Sequence, residues 1–150
     1  MNQQRRLAIS LLVLRLSVFL VMLMWTVDKF VRPDHAAGVF STFYGITGLD
    51  AQMAYVLGAL ELVVLLAFVA GIARRWSYGI VLVLHAVSTL SSWRQYLDPF
   101  EGPNLMFFAA WPMLAACVTL YLLRDADSYT LRMGKIYTLR MGKIGSQGPA

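Results

Sequence analysis

Four long apolar blocks constrain the fold of this 150-residue chain more than any other feature of its sequence. They cover residues 7–27, 53–72, roughly 76–96 and 105–123. A helix rises about 1.5 Å per residue, so each block is long enough to cross a bilayer core of about 30 Å. The third block is the weakest, because its mainly apolar run is short and reaches full length only with Ser91, Ser92 and Trp93. The blocks predict an all-α, integral membrane four-helix bundle in residues 1–124.

The composition indicates a membrane environment for these blocks. Hydrophobic residues make up 59% of the chain and charged residues only 14%, and the mean hydropathy is +0.62. A water-soluble domain of this size needs more polar surface than that. A cleaved signal peptide in residues 1–27 is the alternative for the first block, but the apolar run is too long and no small-residue cleavage motif precedes Trp25. We interpret the block as a retained helix.

The basic residues predict the orientation of the four spans. One side of the membrane would hold nine of them, namely Arg5, Arg6, Arg74, Arg75, Arg124, Arg132, Lys135, Arg140 and Lys143. The other side would hold three, namely Lys29, Arg32 and Arg94. Because Lys and Arg are enriched on the cytoplasmic side, both termini are predicted to be cytoplasmic in a bacterial-type inner membrane. The isoelectric point near 9.7 then reflects topology and attraction to anionic lipid, and it needs no nucleic-acid partner.

Two segments outside the blocks have a recognisable character. The connection 32–52 is long, and its apolar residues predict a short amphipathic helix around residues 36–44. Residues 125–150 form a basic tail in which YTLRMGKI occurs at 129–136 and again at 137–144. Two copies are too few for a repeat architecture. The tail is either a flexible or surface-lying cytoplasmic segment or a docking strand for a partner subunit.

Three ionisable residues lie deep inside the predicted spans. Arg15 lies about 13 Å beyond Arg6 along its helix, and His85 about 15 Å beyond Arg75. Glu61 lies about 20 Å before Arg74. An isolated charge at mid-membrane costs about 2.5–3.5 kcal/mol, so opposite charges at similar depth are expected to pair. The sequence predicts an intramembrane polar cluster of these three residues.

Each member of this cluster also has a structural alternative. Arg15 is alternatively a residue that reaches back to the inner headgroups. Glu61 is alternatively a protonated carboxyl that bonds another helix, and His85 a packing histidine. These alternatives stay open at the level of the sequence, and no residue is assigned a catalytic role.

Polar residues at helical spacing from the cluster predict a cavity that opens outward. Its predicted lining residues are Thr26, Lys29, Ser88, Thr89, Ser92 and Trp111. Pro112 predicts a kink in the fourth helix that would widen this cavity. Lys29 and the charges next to it, at the exit of the first helix, are either interfacial charges or contacts to a ligand.

Metal and thiol chemistry find little support in the sequence. The single cysteine, Cys117, cannot form an intrachain disulfide, and no Cys/His spacing fits a zinc or iron–sulfur site. We expect Cys117 to be a small buried hydrophobe. Haem is disfavoured because the second histidine, His35, lies in the outer loop, away from His85.

The first two blocks resemble a known family of membrane proteins. The stretches LRLSVFLVMLMWTVDKF and LGALELVVLLAFVAGIARRWS are similar to the first two helices of DoxX-like proteins. The residues that carry the resemblance are Arg15, Lys29, Gly58, Glu61, Gly71 and Arg75. The resemblance implies a compact four-helix integral membrane protein, and the family takes its name from subunits linked to quinone-dependent oxidation of sulfur compounds. We separately expect no covalently bound cofactor, with a quinone as the candidate ligand.

Two functions from different classes follow from these features. The first is an accessory subunit of a quinone-linked redox complex, whose polar cluster binds a quinone or a small anion while Glu61 or His85 exchanges protons. The second is a non-catalytic structural or assembly subunit of a larger membrane complex. A small transporter ranks third, because the helices contain no obvious internal repeat. We do not expect the chain to be a stand-alone enzyme, although the sequence leaves this question open.

Overall fold

The computed structural model describes residues 2–131, and in this range the regular structure is entirely helical. The elements in chain order are α1 (Gln3–Val31), α2 (Pro33–Tyr44), α3 (Ala51–Ala70), α4 (Arg74–Ser91), α5 (Trp93–Leu97), a 3-10 helix (Asn104–Ala109) and α6 (Ala110–Leu122). The predicted all-α fold is thus confirmed, and each predicted block falls on a helix.

Three helical segments are long and apolar enough to cross a membrane. They are α1, α3 and the continuous stretch Asn104–Leu122 that joins the 3-10 helix to α6. The third predicted block became α4 and α5, which the non-helical Ser92 separates. Two arginines and several hydroxyl residues make α4 more polar than its neighbours. Four membrane crossings therefore remain a prediction.

The long helices pack side by side around one apolar core. α1 contacts α3 and α6, and α4 also contacts α3 and α6, so the four helices surround a common interior. The buried core consists of Leu11, Val18, Met22, Leu65, Phe68, Tyr78, Val81, Cys117 and Leu120. Cys117 is a free, buried thiol, as predicted. Close packing of these side chains supplies many small dispersion contacts that together hold the helices against one another.

Local sequence signals define the helix ends. Asn2 and Asp50 cap α1 and α3 by accepting hydrogen bonds from the backbone N–H groups of Arg5 and Met53. α2 begins with Pro33 in its first turn, three residues before the predicted start, and ends at Gly45 with φ +68°. It contacts both α1 and α3, and its presence confirms a short helix in this connection.

The fourth block begins as a 3-10 helix and continues as an α-helix. Residues Asn104–Ala109 form the 3-10 helix, and α6 starts at Ala110, so Pro112 occupies the first turn of α6. Proline is tolerated there because the first N–H groups of a helix have no acceptor within it. The change from 3-10 to α geometry lies just before Pro112.

The bundle has two chemically different ends. The loop end holds residues 32–50 and 92–109. The tail end holds the start of α1, the turn at residues 71–73 and residues 123–131. The first residues of the predicted tail belong to the packed structure, since the Leu131 N–H donates to the Ala70 carbonyl over 3.1 Å. The YTLRMGKI repeat beyond residue 131 lies outside the described residues.

Candidate functional site

The three residues predicted to form one cluster have separate partners in the structure. Arg15 pairs with Asp127, Glu61 pairs with Lys29, and His85 bonds the Ala110 carbonyl. The predicted pairing of Arg15 with Glu61 is therefore wrong. The Cα–Cβ bonds of a helix lean toward its N-terminus. Because α1 begins at the tail end and α3 at the loop end, the side chains of Arg15 and Glu61 lean in opposite directions.

The Arg15 guanidinium is the centre of a buried polar site at the tail end. Its Nη1 atom donates to Asp127 Oδ2 over 2.7 Å and to the Tyr78 hydroxyl over 2.9 Å. The Tyr78 hydroxyl donates to the same Asp127 oxygen over 2.6 Å. Nη2 donates to the Tyr129 carbonyl. Arg15 is 2% exposed and Asp127 is 0% exposed, so this ion pair is shielded from solvent and strong in its Coulombic part.

A second arginine and one glycine complete the tail-end site. Arg74 Nη1 donates to the Arg124 carbonyl over 2.5 Å and to the Asp127 carbonyl over 2.8 Å. Gly71 ends α3 with φ +69°, and a Cβ built on it would lie 3.1 Å from Arg15 Nη1. Gly71 thus serves two purposes, because it adopts the left-handed conformation and leaves room for the guanidinium.

The tail-end site leaves several polar atoms without partners in the described structure. These buried atoms are Arg15 Nε, Asp127 Oδ1 and Thr130 Oγ1. Asp127 uses one oxygen for both of its donors, so the ion pair lacks the two parallel hydrogen bonds of a bidentate arginine–carboxylate pair. The site has more hydrogen-bonding capacity than residues 2–131 use.

Lys29 and Glu61 form the second ion pair, nearer the loop end. Lys29 Nζ lies 2.7 Å from Glu61 Oε2 and donates to the Trp25 carbonyl over 3.2 Å. The two side chains are 12% and 15% exposed. Gly58 lets α1 and α3 approach here, since a Cβ at that position would lie 3.3 Å from the Lys29 Cβ. This small residue and its neighbouring ion pair fix the register of α1 against α3.

His85 has the environment of a packing histidine. It is 8% exposed, and its Nε2 lies 3.1 Å from the Ala110 carbonyl oxygen. A carbonyl can only accept, so the proton of the imidazole lies on Nε2. The bond ties α4 to the first residue of α6, which supports the packing alternative.

The residues predicted to line an outer cavity divide into two groups. Thr26, Thr89 and Ser92 are buried, and each hydroxyl donates to the backbone carbonyl four residues earlier in the chain. Ser88 and Trp111 lie at exposed positions, where Trp111 packs against Tyr96 with ring centroids 5.7 Å apart. A shared cavity stays a prediction.

The outer charges at the exit of α1 form a local network. Asp28 accepts from Arg32 Nε over 2.6 Å and lies 2.6 Å from His35 Nδ1. These contacts join the end of α1 to the start of α2, as expected for interfacial charges. Among residues 2–131, no group of His, Cys, Asp or Glu side chains could hold a metal ion.

Sequence reasoning missed the partners of Arg15. Asp127 follows the last apolar block by a few residues, and Tyr78 lies near the start of the third block, outside the set of residues predicted to form a site. The available signal was the charge pattern itself, since Asp125 and Asp127 are the two acidic residues in an otherwise basic tail.

Comparisons of the chain with protein-family models, curated proteins and solved structures find no match. Over residues 2–131, the fold and the site define an all-helical structure with three helical segments able to cross a membrane and two largely buried ion pairs, Arg15–Asp127 and Lys29–Glu61. The resemblance to DoxX-like proteins stays a prediction.

Proposed function

We propose that this chain is an integral protein of a bacterial-type inner membrane, crosses it four times, and serves as a non-catalytic accessory subunit of a larger membrane complex. The observation that carries the accessory role is the internal pairing of the deeply placed charges. Arg15 and Lys29 each have a carboxylate partner within the chain. Such pairs specify helix order and register while leaving few free groups for chemistry.

The proposed topology rests on the helices and on the charge at their ends. Three segments have the length and hydropathy of membrane spans. α4 packs between α3 and α6 and begins with Arg74 and Arg75 at the tail end, where Arg5 and Arg6 also lie. This concentration of arginine supports a cytoplasmic tail end.

Cysteine labelling tests this topology. In a Cys117→Ala background, single cysteines replace Arg75 at the tail end and Glu101 at the loop end, both of which are exposed. A membrane-impermeant maleimide added to intact inverted vesicles should label position 75 and spare position 101. Labelling of both positions from one side would refute four crossings.

Extraction of the native complex tests the accessory role. Gentle solubilisation should yield the chain with other membrane subunits, and Glu61→Gln should weaken that assembly because Lys29 would lose its charged partner. The matched variant Glu101→Gln, at an exposed loop position, should leave assembly unchanged. A chain that purifies alone, at the yield of the wild type in every variant, would contradict the proposal.

A quinone-linked redox subunit is the second candidate, and the Lys29–Glu61 pair favours it. The two side chains are 12% and 15% exposed, so the carboxyl is not sealed inside the helix packing. The donors near this pair fit a quinone less well, since Lys29 already bonds Glu61 and Trp25. Thr89 donates to its own helix. A quinone carbonyl would have to displace one of these contacts.

Quinone content and turnover separate the two candidates. The redox role expects quinone in solvent extracts of the purified complex. It also expects Glu61→Gln to lower turnover while the complex stays assembled. If Glu61→Gln and His85→Ala leave turnover of an intact complex unchanged, the redox role is wrong.

A further inference from the structure

The tail-end site gathers donors from two helices, α1 and α4, onto one short segment. Arg15 on α1 and Tyr78 and Arg74 on α4 all point their donors at residues 124–129. The turn that ends α3 at Gly71 borders the same site. Every acceptor that these two arginines use in this segment is a carboxylate or carbonyl oxygen. The site therefore places two arginines and a tyrosine hydroxyl around oxygens of the protein's own chain.

The segment that fills the site is held by polar contacts more than by apolar packing. Tyr129 and Leu131 are 45% and 75% exposed, so their apolar surface contributes little to docking. Asp127 supplies the one buried charge of the segment. A segment attached mainly through hydrogen bonds can be displaced by a ligand that offers the same donors better acceptors.

The hydrogen-bonding pattern indicates which ligand would compete. Among residues 2–131, Arg15 Nε is buried with no hydrogen-bond partner, and Asp127 binds its donors through Oδ2 alone. A phosphate group carries more terminal oxygens than a carboxylate, so it could accept from Nε and Nη2 together and still accept from Tyr78. The unused guanidinium donor is the feature that a phosphate would satisfy.

We propose that Arg15, Arg74 and Tyr78 form a phosphate-binding site and that residues 125–131 cover it, so that phosphate binding and docking of this segment exclude each other. The site goes beyond the accessory role, and its phosphate comes either from solution or from a lipid headgroup. If the phosphate belongs to a lipid headgroup, the proposal also depends on the proposed topology, in which the tail end faces the inner headgroups. Phosphate from solution does not require that topology.

The competition can be measured on the purified full-length chain in maltoside micelles. A cysteine placed at Ser128 in a Cys117→Ala background reports docking through its rate of reaction with a charged maleimide. Inorganic phosphate should raise this rate in a saturable way, and chloride at matched ionic strength should not. The proposal would be overturned if the labelling rate were equal in phosphate and chloride and were also unchanged by phosphatidic acid, a lipid whose headgroup is a phosphate.

Two matched variants identify the competing group. Asp127→Asn should tighten the apparent phosphate affinity about tenfold, because a larger fraction of molecules would have the site open. Asp125→Asn removes the same charge two residues away at an exposed position and should leave the affinity unchanged. Arg15→Gln should abolish saturation. Equal affinities in the Asp127→Asn and Asp125→Asn variants would refute competition. If Asp127→Asn does not fold, the test is the reaction rate of the cysteine at position 128 in the chain that keeps Asp127, compared between phosphate and chloride.

Lipid additions distinguish the two sources of phosphate. Phosphatidic acid and galactosyl diacylglycerol, which lacks phosphate, are added to the same micelles. A response to phosphatidic acid alone identifies a headgroup site. A response to inorganic phosphate alone identifies a soluble ligand and leaves the site valid. Because this assay needs no partner subunit, it can fail or succeed independently of the accessory role.

Discussion

Replacement of Gly71 by alanine tests the packing of the tail end with one methyl group. A Cβ at this position would lie 2.5 Å from the Cβ of Thr130 and 3.1 Å from Arg15 Nη1. Ordinary contacts of this kind measure 3.4–4 Å. The Thr130 Cβ is fixed to the backbone, so residues 129–131 would have to retreat by roughly 1 Å in a close-packed site.

The expected cost has two parts that a control variant separates. A left-handed conformation costs alanine about 1–2 kcal/mol relative to glycine. Gly45 has the same conformation, with φ +68° and no atom within 4 Å of its added Cβ, so Gly45→Ala should show this part alone. Displacement of the segment adds about 0.5–1.5 kcal/mol if only the Leu131–Ala70 hydrogen bond breaks. It adds about 3–5 kcal/mol if the Arg15–Asp127 pair is lost.

Equilibrium unfolding of the two variants in mixed micelles measures this difference. The free energy of unfolding should fall further for Gly71→Ala than for Gly45→Ala, by an amount between those limits. The Ser128 label described above should also react faster in Gly71→Ala alone. Equal free energies in the two variants would show that residues 129–131 do not pack against Gly71, and the reasoning about the tail-end site would fail with it.

Three further outcomes follow from the other contacts. Lys29→Met should lower the free energy of unfolding by about 1–3 kcal/mol because it strands the Glu61 carboxylate, and adding Glu61→Met should recover most of that loss in the same micelle assay. Tyr78→Phe should cost about 1–3 kcal/mol, since it removes a buried donor from a carboxylate, and its thermal unfolding should shift downward. Pro112→Ala should change stability by less than about 1 kcal/mol, because Pro112 lies in the first turn of α6; a large loss would indicate that the proline shapes the helix.

The sequence predicted the all-helical fold well because hydropathy identifies segments that are long and apolar enough to cross a membrane. Three of the four blocks became helices able to cross a membrane, and the short helix in residues 33–44 was expected from its apolar spacing. The third block reached the length of a membrane span only by including Ser91, Ser92 and Trp93, and the helix breaks at Ser92, within these residues. Hydropathy averages over a window, so it locates a helix without showing whether one residue interrupts it.

The partners of the charged residues were harder to predict, because pairing depends on contacts between distant segments. Asp127 is separated from Arg15 by 112 positions and lies outside every apolar block. Only the return of residues 123–131 onto the end of α3, which the Leu131–Ala70 bond fixes, brings the carboxylate to the guanidinium. The spacing of apolar residues in the sequence does not indicate that residues 123–131 fold back onto α3.

The depth count that grouped Arg15 with Glu61 measured Cα heights, whereas pairing is decided by where the side chains end. On antiparallel helices, side chains lean toward opposite ends of the bundle. Arg15 and Tyr78 both lean toward the tail end, because α1 and α4 start there, and they meet at Asp127. The Glu61 side chain leans toward the loop end, because α3 begins there. The Lys29 side chain lies close to the loop end and leans toward the tail end, so the two side chains meet. Helix direction therefore accounts for both observed pairs, and for buried charges on antiparallel spans it is a better guide than equal depth.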